Sequence, residues 1–97
     1  MKGFIHIWDF NTEECLKTIF LQTIINGICL WDDQYAACTG RDKKIKIVDL
    51  KEGKIVRILT GHEKDTLSVQ KIKIDKYGDC LVSHGKDGLL KVWSFVK

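Results

Sequence analysis

Ninety-seven residues make one small domain at most, and 44% hydrophobic with 30% charged residues excludes a disordered chain. The formal net charge is +3, split as −3 over residues 1–40 and +6 over residues 41–97. No apolar run approaches the ~20 residues of a membrane-spanning helix. The N-terminal residues lack a signal-type hydrophobic stretch, so the reading is intracellular, cytoplasmic or nuclear.

Proline is absent and helical periodicity is weak. Short apolar-polar alternations separated by turn residues predict β-strands in chain order. Residues 3–9 form the first, and Asn11-Thr12-Glu13-Glu14 turns it into a second over 15–21. A third runs over 24–31, with Asn26-Gly27 as a bulge. Asp32-Asp33-Gln34 turns into a strand over 35–39. Gly40-Arg41-Asp42-Lys43 turns into 44–50, and Lys51-Glu52-Gly53 into 54–60. A connection over 61–65 leads to a strand within 66–75. Lys76-Tyr77-Gly78-Asp79 turns into 80–83, and Gly85-Lys86-Asp87-Gly88 into a last strand over 89–95. Regular short strands of this kind argue for an all-β sandwich, barrel or propeller.

A recurrent strand ending narrows the choice. Phe4-Ile5-His6-Ile7-Trp8-Asp9, Lys44-Ile45-Lys46-Ile47-Val48-Asp49 and Leu90-Lys91-Val92-Trp93-Ser94 share one pattern. Their anchors Trp8, Val48 and Trp93 lie 40 and 45 residues apart. Such a period marks stacked supersecondary units. Asp42 aligns with Asp87, and Gln22 with His62.

At these residues the chain resembles the WD-repeat family, whose repeats run from Gly-His to Trp-Asp. The resemblance implies consecutive four-stranded antiparallel propeller blades with strands in the order c-d, a-b-c-d, a-b-c. Residues 1–21 are then an outer half blade, 22–60 a complete blade, and 61–97 a blade lacking its outer strand. About two and a quarter repeats cannot close a ring of four to eight blades. The expectation is therefore the C-terminal part of a longer propeller.

The resemblance also assigns a structural hydrogen-bond network to His62, Ser83, Asp87 and Trp93. A buried Asp needs donors, and a histidine N–H and a serine hydroxyl supply them. Ser, His and Asp together suggest a hydrolase, but no Gly-x-Ser-x-Gly elbow accompanies them, and the reading is non-catalytic. In the preceding blade the matching positions are Gln22, Cys38, Asp42 and Val48. That blade is expected to depend on apolar packing of Ile28, Leu30, Ala37, Ile45 and Ile47. His6, Lys46 and Lys91 align at a partly exposed strand position.

The four cysteines have no Cys-x-x-Cys spacing and read as reduced thiols. No metal site and no cofactor are implied. Function is expected to be that of a protein-protein interaction scaffold or adaptor. The candidate contacts Arg41, Glu63, Lys64, Asp65 and Lys86 lie in the b–c turns and d–a connections, where WD-repeat propellers often dock partners. Two alternatives remain: a fragment without independent function, and weak binding of nucleic acid or another anionic partner through the basic C-terminal part. Further copies of the chain are candidate partners too, and no membrane is implied.

Overall fold

The computed structural model describes residues 3–62 and 64–94. Its nine strands are β1 (Phe4–Trp8), β2 (Cys15–Phe20), β3 (Ile25–Leu30), β4 (Tyr35–Gly40), β5 (Lys44–Asp49), β6 (Lys54–Thr60), β7 (Thr66–Ile74), β8 (Gly78–Gly85) and β9 (Leu90–Ser94). Every pairing is antiparallel. Three sheets result, ordered β1-β2, β3-β4-β5-β6 and β7-β8-β9. The architecture is all-β and consists of partial propeller blades.

Each sheet is a meander, because every connection between paired strands is a short turn built by local chemistry. Asp9 Oδ1 accepts from the amides of Asn11 and Thr12 at 2.8 and 3.1 Å. Asp32 Oδ1 accepts from Gln34 and Tyr35, both at 2.8 Å. Asp49 Oδ1 accepts from Lys51 and Glu52, both at 2.9 Å. An aspartate that bonds amides two and three residues on replaces a backbone turn bond, which is why these residues end strands.

Two apolar layers join the sheets. Ile19 and Leu21 pack with Cys38 and Val48 between the first and second sheets. Ala37, Ile45 and Leu59 pack with Val69 and Leu81 between the second and third, flanked by Cys29, Trp31, Ile47 and Trp93. Ala36, Ala37 and Cys38 are buried on both faces of β4. Their small side chains fit where two neighbouring sheets press on one strand. Each fully buried Leu, Ile or Val contributes about 1.5–3 kcal/mol.

The structure departs from the sequence reading in three places. β8 begins at Gly78, so the turn before it is tighter than 76–79. Ile28 and Leu30, expected in the core, are 53% and 65% exposed. The bulge between Ile25 and Gly27 sets their register. They share a face with Cys38 and Ala36, their partners on β4, while Cys29 and Trp31 take the other face and join the core. β1 and β2 cover Cys38 and Val48 but leave the β3 edge of that face open. Lys46, expected to be partly exposed, is 7% exposed.

Candidate functional site

The densest polar cluster sits where the approach to β7 meets the β8–β9 turn. Ser83 lies on β8 with no exposed surface. Its Oγ is 2.8 Å from His62 Nε2 and accepts a hydrogen bond from Trp93 Nε1 at 2.9 Å. His62 Nδ1 lies 3.2 Å from Asp87 Oδ2. The imidazole and carboxylate side chains are 1% and 7% exposed. Asp87 Oδ1 also accepts from the Leu89 amide at 3.0 Å.

Elementary bonding rules orient every proton. A carboxylate only accepts, so Nδ1 of His62 carries the hydrogen that faces Asp87. Nε2 is then an acceptor, and the Ser83 hydroxyl donates to it. The Ser83 oxygen in turn accepts from the indole. The result is a directed chain from Trp93 through Ser83 and His62 to Asp87, with no polar atom wasted.

Gly85 makes this approach feasible, a role that reading its turn alone misses. A Cβ there would lie 2.7 Å from His62 Nδ1 and 2.8 Å from Asp87 Oδ1. The signal available in the sequence is Gly85-Lys86-Asp87-Gly88 itself, with glycine two positions before the aspartate.

The order of the chain is that of a hydrolase triad, but its surroundings differ. Ser83 Oγ has no exposed surface and already accepts from Trp93. An attacking hydroxyl needs a carbonyl about 3 Å away, and no substrate atom reaches a buried oxygen.

The second sheet replaces this chain by another device. Gln22, at the histidine position, is exposed. Asp42 instead forms an ion pair with Lys46, Oδ2 to Nζ 2.9 Å, and the same ammonium donates to the Leu21 carbonyl at the end of the first sheet. The apolar packing expected of this blade is present at Ala37, Ile45 and Ile47 and absent at the exposed Ile28 and Leu30; the Asp42–Lys46 pair adds a polar tie beside it. Lys46 looked exposed because it alternates with apolar neighbours as a solvent-facing residue does. Its partners, 25 residues before and 4 before it, are invisible to that alternation.

The contact candidates fall at one end of the stack. Asn26 Nδ2 donates to the Thr66 carbonyl at 2.9 Å, which aligns the starts of β3 and β7. The Arg41 amide donates to Ile24 O at 3.2 Å, and the Lys86 amide to Asp65 O at 2.8 Å. Arg41, Lys64 and Lys86 are exposed and Asp65 is half-buried; Glu63 lies outside the described residues. Lys43, also exposed, holds a left-handed φ of 68° at the position matching Gly88, whose φ is 80°.

Charge divides along the strand axis. The end opposite those turns carries Asp9, Glu13 and Glu14 between β1 and β2, and Asp32 and Asp33 between β3 and β4. It also carries Asp49 at the end of β5, Glu52 in the β5–β6 turn, and Asp75 and Asp79 around the β7–β8 turn, with the exposed Lys51, Lys54 and Lys76 among them in smaller number. Lys17 reaches Lys51 O, and Lys71 Nζ reaches Trp31 O at 2.6 Å, which keeps these turns together. The amides of Gln34 and Tyr35 hold the Asp32 carboxyl below its usual range. That of Glu52 does the same for Asp49, aided by the Gln34 side chain and the Lys51 amide. Among the described residues no group of three or more His, Cys, Asp or Glu could hold a metal.

No protein-family model matches the chain. It is 30% identical over 90 residues to Cilia- and flagella-associated protein 52 of Chlamydomonas reinhardtii, covering 92% of this chain and 14% of that protein. It is 30% identical over 90 residues to GID complex subunit 7 of Schizosaccharomyces pombe, covering 92% and 18%. With the DENN domain and WD repeat-containing protein SCD1 of Arabidopsis thaliana it shares 29% identity over 94 residues, covering 95% and 8%. The chain is a WD-repeat sequence. It spans less than a fifth of the length of these relatives. Among solved structures, the computationally designed Ika4 protein superposes with a TM-score of 0.73 at 25% identity, covering 94% of this chain and 54% of that one.

Proposed function

We propose that this WD-repeat chain is a non-catalytic scaffold that holds protein partners on the end formed by the β4–β5 and β8–β9 turns and the connections before β3 and β7. The observation that supports it is the buried Trp93–Ser83–His62–Asp87 chain. It uses the reactive side chains for rigidity and leaves Arg41, Lys64, Asp65 and Lys86 at the surface beside it. Loops fixed by a rigid framework are suited to recognition, because binding then loses little loop entropy.

In this reading residues 1–21, 22–60 and 61–97 are blade units of a longer ring in an intracellular protein. Phe4, Trp8 and Phe20 on the first sheet, and Leu90 and Val92 on the third, are large apolar residues that are 39–69% exposed. Neighbouring blades are the natural cover for such faces. The much greater length of the relatives agrees.

A photo-cross-linking residue at Arg41 or Lys86 should capture protein partners in extracts, while one at Asp33 or Tyr77 should not. Equal capture from both ends, or none from Arg41 and Lys86, would remove the proposed docking end.

A further inference from the structure

The partner chemistry can be drawn from the axial charge separation; it rests on the scaffold reading above. We infer that the docking end binds an acidic peptide segment. Arg41, Lys43, Lys64 and Lys86 are exposed there. Two of the acidic residues at the same end are turned inward. Asp42 is ion-paired with buried Lys46, and the Asp87 carboxylate, 7% exposed, faces His62. Lys46 compensates Asp42, whereas Asp87 is hydrogen-bonded to His62 and Asp65 is half-buried. Among the described residues the exposed Arg41, Lys43, Lys64 and Lys86 still outnumber the Asp65 and Asp87 carboxylates.

The opposite end has the reverse character. Its aspartates build the turns by accepting backbone amides, and its acidic residues outnumber the lysines Lys17, Lys51, Lys54, Lys71 and Lys76 interspersed with them. An approaching acidic segment is therefore drawn to one end and repelled from the other. Such complementarity sets orientation and association rate more than raw affinity.

A nucleic acid fits less well. Stacking on aromatic side chains supplies much of the affinity for single strands. The exposed aromatics Trp8, Phe10 and Tyr77 lie toward the acidic end. Phe4 and Phe20, at the other end of the first sheet, stack on each other with ring centroids 4.9 Å apart and lie on the face a neighbouring blade would cover. A long polyanion also extends past the small basic patch toward the acidic turns.

The test is fluorescence anisotropy on the full 97-residue chain with a labelled Glu/Asp-rich peptide. Its Gln/Asn counterpart and a single-stranded oligonucleotide of the same charge serve as rivals. The acidic peptide should bind, and raising sodium chloride from about 0.05 to about 0.3 M should weaken it by about tenfold or more. Arg41→Glu with Lys86→Glu should cost a similar factor, and Lys43→Gln with Lys64→Gln a smaller one; Lys76→Glu at the other end should cost none. Circular dichroism confirms that each variant folds. Binding of the neutral peptide as tightly, indifference to the Arg41 and Lys86 reversals, or tighter binding of the oligonucleotide would each overturn the inference. If cross-links form at Arg41 or Lys86 while the acidic peptide does not bind, the acidic specificity fails and the scaffold reading stands.

Discussion

Ser83→Ala is the sharpest perturbation available in this structure. It removes one oxygen from a site without exposed surface and leaves two polar atoms unserved, Trp93 Nε1 at 2.9 Å and His62 Nε2 at 2.8 Å. Each buried polar atom that loses its partner costs about 1–3 kcal/mol. Trp93 is only half-buried, so water recovers part of its share. The expected loss is about 2–4 kcal/mol, and a chain of this size loses about 4–8 °C in Tm per kcal/mol. Thermal unfolding followed by far-ultraviolet circular dichroism should therefore show a fall of about 10–25 °C. Trp93→Phe removes the indole donor together with the pyrrole half of the ring, at a cost of about 0.5–1.5 kcal/mol for the hydrogen bond plus a share for the packing volume lost against the core. Combined with Ser83→Ala, it should cost less than the two separately, because the indole has nothing left to lose. A Ser83→Ala protein within about 0.5 kcal/mol of the parent, or a strictly additive cycle, would refute the directed chain.

Other outcomes follow from the second sheet and from titration. Asp42→Ala strands the buried ammonium of Lys46 with only the Leu21 carbonyl, and should cost about 2–3 kcal/mol by chemical denaturation. Adding Lys46→Met should recover most of that loss, since an apolar side chain of similar length removes the orphaned charge. Lys43→Gly should raise stability by about 0.5–1 kcal/mol, since Lys43 holds a φ of 68° that glycine adopts without steric cost. On the acid side, Asp32 and Asp49 have folded values held below the ordinary 3.8. Their stabilisation is complete above that value and is lost as pH falls through the lower folded values. On the alkaline side, burial pushes the Cys38 thiol from 9.0 up to about 11, the nearby Lys46 opposing it. The unfolded chain then ionises first, so stability should fall as pH rises from 9.0 to about 11. A Cys38→Ala protein with the same alkaline profile would argue against that assignment.

Strand order and strand ends were legible because both are local. Period-two alternation marks each strand, and Asp9, Asp32 and Asp49 end strands by bonding amides two and three residues on. The set His62, Ser83, Asp87 and Trp93 was nameable from repeat spacing and resemblance. Its proton order, and the need for Gly85 beside it, required distances between elements.

Residue 46 and residues 28 and 30 mark the limit. By itself the sequence determined that the chain forms short paired strands in a repeating order, since alternation and turn chemistry act over a few residues. It could not say which face of β3 meets a neighbour, because a bulge resets that face and the cover comes from another sheet. Nor could it say that Lys46 is buried, because the atoms that satisfy its charge are brought near by packing of the first sheet on the second. Tertiary structure alone also separated the charges. Meander turns place alternate loops at opposite ends, so residues scattered along the chain collect into a basic end and an acidic one only after the strands pair.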